Sequence, residues 1–168
     1  MVARRQKPRA QQHGAYLPWV IVGGVVLAFI VLVAALARQP RSVRVGDHWH
    51  ARLTIDLCGK TLPPLPPAPG DVHTHGDGVI HIHPATASSA GRNASLQTFF
   101  RTTPVVITPM SIAVGGERFK NGNQCPDGKT GTLRVLVRRD GESGFREHRN
   151  FLRYLPQDGD TIRVVFGP

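Results

Sequence analysis

From Leu17 to Ala37 the chain reads LPWVIVGGVVLAFIVLVAALA, 21 residues without a single charge, and no other feature limits the possible folds so strongly. About 20 apolar residues, rising 1.5 Å each, cross the roughly 30 Å hydrocarbon core of a bilayer. A helix packed in a small globular domain normally keeps a polar face. Tyr16 and Trp19 stand at the start of the run, where aromatic rings favour the headgroup interface. The expected organisation is a basic tail over 1–16, a transmembrane helix over 17–37, a basic stalk over 38–46 and a folded domain over 47–168. The rival reading is a cleaved secretory leader, because Ala35-Leu36-Ala37 fits a small-x-small cleavage pattern after an arginine-bearing start. The length of the apolar run, beyond the roughly 7–15 residues of a signal core, favours retention as an anchor.

That division also explains the net charge of +10. Arg4, Arg5, Lys7 and Arg9 put +4 on the tail, Arg38, Arg41 and Arg44 put +3 on the stalk, and 47–168 holds 14 basic against 11 acidic residues. The domain is nearly balanced, so the overall basicity is no argument for a nucleic-acid partner. The two basic flanks also nearly cancel as a topology signal. Cysteine usage supplies the missing direction. Cys58 and Cys125 are the only thiols, both follow the apolar run, and no Cys-x-x-Cys occurs, so they read as one disulfide in an exported domain. Closing so long a loop is worth roughly 4 kcal/mol in the chain-entropy picture. A disulfide puts the C-terminal domain outside the cell membrane and the N-terminus in the cytoplasm.

Within the domain, Trp49, Ala51, Leu53, Ile55 and Leu57 alternate with His50, Arg52, Thr54 and Asp56, the period of a half-buried strand. A proline-rich spacer over 62–69 follows, then two short strands, Val72–His75 and Val79–His83, around Gly76-Asp77-Gly78. Asn93 is the expected cap of a short helix presenting Leu96, Phe99 and Phe100, ended by Thr102, Thr103 and Pro104. Further strands are expected over Met110–Val114, Leu133–Arg138 and Ile162–Phe166. The fold class is thus a membrane-anchored α+β chain whose small β-rich domain holds one short helix, with an element order like that of the β-grasp.

Six of the eight histidines fall in three His-x-His units: His48/His50, His73/His75 and His81/His83. On a strand, residues i and i+2 share a face, so each unit offers two imidazoles side by side. Register decides whether the units converge. A three-residue loop at 76–78 pairs His73 with His81 and gathers four rings on one face; a two-residue turn sends the units to opposite faces. Converging imidazoles suit zinc, copper, nickel or iron, with the hairpin four as the leading ligands and His48 and His50 joining them. Asp47, Asp71 or Asp77 is available as an oxygen ligand or as a partner orienting a ring. His13 and His148 lie outside the set. The competing reading makes these histidines surface and turn residues of a protein-interaction or structural module. A catalytic role is disfavoured. Gly70-Asp-Val-His-Thr-His75 is similar to the first cupin motif, but Val79 and Ile80 stand where that motif wants glutamate, and no Gly-x-Ser-x-Gly or His-Glu-x-x-His is present.

Gly46-Asp-His-Trp-His50, Leu57-Cys-Gly59, Leu62-Pro-Pro-Leu-Pro66, His73-Thr-His-Gly-Asp-Gly-Val-Ile-His-Ile-His-Pro84, Cys125-Pro126 and a terminal Gly159-Asp160 turn together resemble a family of single-pass extracytoplasmic actinobacterial proteins to which no activity is assigned. The likeness spans about residues 46–166. A looser similarity, in the order His-Thr-His, Ile-His, short helix, links the chain to archaeal extracytoplasmic proteins. What the resemblance implies is the anchor and the domain boundaries; the metal reading rests on the histidines themselves.

Overall fold

The computed structural model describes residues 17–37 and 41–168, which form two separate units divided near Pro40. In the first, the apolar run is a single helix, α1 (Leu17–Ala37), whose Pro18–Leu36 stretch has a mean hydropathy of 2.9 and no buried residues. It is long and apolar enough to cross a membrane. A signal sequence meets the same test.

In the second unit, the alternating stretch forms β1 (Trp49–Leu57), which buries Ala51, Leu53, Ile55 and Leu57 and leaves Arg52 and Thr54 exposed. Cys58 and Gly59 turn the chain into β2 (Lys60–Thr61). Both turn residues have positive φ, 54° and 80°, as a two-residue hairpin turn of this hand requires. Next come β3 (Val72–His73) and β4 (Val79–Ile82), a 3₁₀ turn at Gly91–Asn93, and helix α2 (Leu96–Arg101). A three-stranded sheet of β5 (Val106–Thr108), β6 (Ser111–Val114) and β7 (Glu117–Lys120) precedes β8 (Thr132–Arg138), β9 (Arg146–Glu147) and the final β10 (Thr161–Gly167).

The main sheet runs β3-β4-β1-β10-β8-β9, with β2 beside β1. Its first and last long strands, β1 and β10, lie parallel at the centre with Leu53 opposite Ile162 and Leu57 opposite Phe166; every other pairing is antiparallel. One face carries the core, where Ile80, Ile82, Val135, Ile162, Val164 and Phe166 are all inaccessible to solvent. Leu96, Phe99 and Phe100 of α2 join the same core. At roughly 1.5–3 kcal/mol for each buried large side chain, this one-sided burial ties the helix to the sheet and leaves the other face polar.

The fold differs from the sequence reading in several places. The helix cap is Ser95, whose hydroxyl accepts from the Thr98 amide, and Asn93 ends the 3₁₀ turn ahead of it. Ser95 takes the position because an N-cap needs extended backbone with an oxygen two or three residues before a free amide. Strand β3 stops at His73, since Thr74 bridges to Ala68 of the proline-rich spacer. From Arg41 onward the segment expected as a basic stalk packs with the folded unit: Val43 is buried and its carbonyl accepts from the Gly91 amide, while Arg41 exchanges hydrogen bonds with Gln157. Residues 38–40 and the tail over 1–16, His13 included, lie outside the described residues.

Cys58 and Cys125 form the expected disulfide and leave no free thiol among the described residues.

Candidate metal centre

The face of the sheet opposite the core carries the histidines. Antiparallel pairing sets His50 of β1 opposite His81 of β4, and His73 of β3 opposite His81 on its other side. The hairpin therefore adopts the register of the three-residue loop at Gly76–Gly78, and His73, His81 and His50 form a row across three strands. Beyond the β1–β4 ladder, the Gly46 amide donates to the Pro84 carbonyl at 3.0 Å. That bond brings the chain entering His48 beside the chain leaving His83, and their rings lie 3.6 Å apart, centroid to centroid. All six clustered imidazoles thus share one surface.

Within it, His48, His50 and His83 each bring a ligand nitrogen within 4.8 Å of the other two. Tetrahedral bonds of about 2.0–2.1 Å require nitrogens roughly 3.3 Å apart, so side-chain adjustments of an ångström or so close the site. Nε2 of His83 is buried and has no hydrogen-bond partner among the described residues, which sets it apart from a ring satisfied by a turn carbonyl. Burial, followed by the rings of His48, His73, His50 and His81, holds the His83 pKa down at about 4. His73 is lowered as well, by burial first and then by His75 and His81. Both rings are therefore neutral at pH 7, the form that binds metal. The hairpin four, expected to lead the ligand set, are divided: His83 sits with His48 and His50, while His73, His75 and His81 lie alongside.

Of the three candidate aspartates only Asp77 touches a ring, with Oδ2 at 2.9 Å from His81 Nε2. Burial opposes its charge, but the His81 ring and the Val79 amide outweigh burial and keep its pKa below the ordinary carboxylate value. Asp71 turns to the following loop, accepting from Ser89 Oγ and, at 2.9 Å, from the Ala85 amide. Asp47 accepts from the Arg44 amide at 2.7 Å. His148 packs against Tyr154 instead, with ring centroids 4.5 Å apart.

Two residues outside the His-x-His pattern also build the site. Asp158 Oδ1 accepts from the His50 amide at 2.9 Å, and the Gly159 amide donates to the His50 carbonyl at 2.9 Å. The Asp158-Gly159-Asp160 turn, legible in the sequence only as a turn, thus grips the backbone of a candidate ligand more than 100 residues earlier in the chain. Buried Asp160 secures that turn by accepting from Tyr154 Oη at 2.6 Å and from the Gln157 amide at 2.8 Å.

Compared with known proteins, the chain matches no family model, no curated protein and no solved structure. The class that its fold and site define is therefore stated in physical terms: a mixed α+β chain with one bilayer-length apolar helix, a disulfide and a histidine cluster compatible with metal binding.

Proposed function

We propose that this chain is a single-pass, membrane-anchored extracytoplasmic protein whose domain binds a transition metal ion through His48, His50 and His83, as a binding module rather than an enzyme. The observation that carries the reading is the trio itself: three imidazole nitrogens within 4.8 Å, supplied by β1 and by the residues that lead into β1 and out of β4, one ring holding a buried nitrogen without a hydrogen-bond partner among the described residues. Neutral imidazoles suit zinc, copper, nickel and iron alike. Asp158 and Gly159 hold the His50 backbone, and the Gly46–Pro84 bond holds His48 against His83. The anchor reading rests on the length and apolarity of α1, and the outward placement of the domain rests on the disulfide, whose bond persists in oxidising compartments.

The strand order, with a parallel first and last strand at the centre and a hairpin and a helix on the crossover path, supports a β-grasp-like assignment for the domain. Membership of the actinobacterial extracytoplasmic group is proposed on the motifs that carry the resemblance.

A second reading, a metal-dependent enzyme, is favoured by one observation. A polar cleft of about 430 Å³ adjoins His50 and is lined by Arg52, Arg138, Asp140 and Asp158, space beside a metal in which a substrate would fit.

The test is zinc uptake by the full-length chain, purified in mild detergent and stripped with chelator. His48→Ala/His83→Ala is expected to lose about one zinc ion per chain relative to the parent. Uptake unchanged in that variant overturns the proposal.

A further inference from the structure

His73 and His75 lie outside the trio, and their Nε2 atoms share a hydrogen bond at 3.1 Å, a proton that a metal ion would replace. Two nitrogens bound to one tetrahedral ion at 2.0–2.1 Å are separated by about 3.3 Å, so this pair is already spaced as a chelate. The ring of His81 packs against His75 at 4.4 Å between centroids and against His73 at 5.4 Å. Asp77 holds His81 through its Nε2, the carboxylate–imidazole arrangement that orients metal-binding rings. This half of the cluster holds the only aspartate in contact with an imidazole among the described residues, and a carboxylate is what a second dication needs beside a first one.

A single zinc ion cannot use the whole cluster. Four ligands complete a tetrahedral shell, and the six rings fall into two groups. His48 and His83 meet at 3.6 Å beyond the β1–β4 ladder, whereas His73 and His75 meet on the outer strand β3 and its exit. The groups touch through the His50–His81 pair, at 4.8 Å between centroids, and through His73 and His83, at 5.3 Å. Neighbouring strands lie about 4.8 Å apart, so two ions on adjacent rows are close enough to sense each other.

Building on the metal-binding reading, we propose that the domain carries a second transition-metal position, held by His73 and His75 through Nε2 and completed by His81, whose ring Asp77 orients, so that it takes up two ions side by side. Repulsion between the two dications makes the second ion bind more weakly than the first.

The experiment is equilibrium dialysis of the full-length detergent-solubilised chain against zinc chloride, with bound zinc counted. The parent is expected to hold two ions in two phases. His73→Ala/His75→Ala is expected to hold one, and His48→Ala/His83→Ala the other. Since His75 is exposed, the single variant His75→Ala serves where the double variant folds poorly. Asp77→Asn, which keeps an oxygen for the Val79 amide, is expected to weaken one phase by 10–100-fold and leave the other unchanged. A parent holding one ion that only His48→Ala/His83→Ala removes overturns the second position and leaves the first reading standing. A single ion lost in either double variant means one shared site, which also overturns it. Two ions retained by His73→Ala/His75→Ala would falsify it, and no uptake at all ends both proposals.

Discussion

Protonating His83 adds a positive charge to a half-buried ring surrounded by four other imidazoles, which is why its pKa falls from 6.5 to about 4. Burial lowers His73 and His148 in the same direction. For each, the folded-state value lies below the unfolded one, so between the two the unfolded chain binds more protons and stability falls as pH drops. The contribution is complete above about pH 6.5 and, for His83, is lost on the way down to about 4. Asp160 acts in the opposite sense: burial raises its pKa, so its contribution is present at low pH and lost as pH rises through the folded value. His83→Gln, which cannot gain a proton, separates the two effects. In metal-free protein the urea midpoint is expected to fall between about pH 7 and pH 5, and to fall less in His83→Gln. Equal slopes in the two proteins contradict the assignment. At this scale the candidate ligands were legible, because i, i+2 histidines on a strand share a face. The division of the rings was not, since it depends on which residues of distant strands oppose one another.

Elements with strong periodicity were visible in the sequence. β1, β8 and β10 alternate over seven to nine residues, and α2 shows its apolar face at Leu96, Phe99 and Phe100. Strands β2, β5, β7 and β9, of two to four residues, are too short to show a period and exist because neighbours supply their hydrogen bonds. The expected strand at Met110–Val114 is Ser111–Val114 and belongs to a separate three-stranded sheet. One close approach governs how β8 meets the end of β10. A Cβ at Gly131, just before β8, would stand 2.3 Å from the ring of the fully buried Phe166. Gly131→Ala is therefore expected to destabilise the domain by about 1–3 kcal/mol, read as a lower urea midpoint with an unchanged m-value. An unaltered midpoint means that the β8–β10 end accommodates the methyl group.

For the whole molecule, the prediction concerns placement. Carbonate-washed membranes from expressing cells are expected to retain the full-length chain, because a 21-residue uncharged helix partitions into the bilayer core. Protease added outside is expected to remove the domain beyond residue 40. Release of the domain into the soluble exported fraction instead identifies α1 as a cleaved leader. The disulfide ties Cys58, at the β1–β2 turn, to Cys125 in the loop before β8, across 67 positions, and contributes roughly 4 kcal/mol by restricting the unfolded chain.

The apolar helix, the pairing of the only two cysteines, the inward face of each long strand and the six candidate ligands can all be read from the residues alone, because they follow from local period or from counting. It takes the folded chain to show that β1 pairs with β4 on one side and with β10 on the other, that His83 therefore lies with His48 and His50, and that Asp158 and Gly159 grip His50. Strand pairing between segments tens of residues apart is chosen by packing the whole core at once, and it leaves no period in the chain.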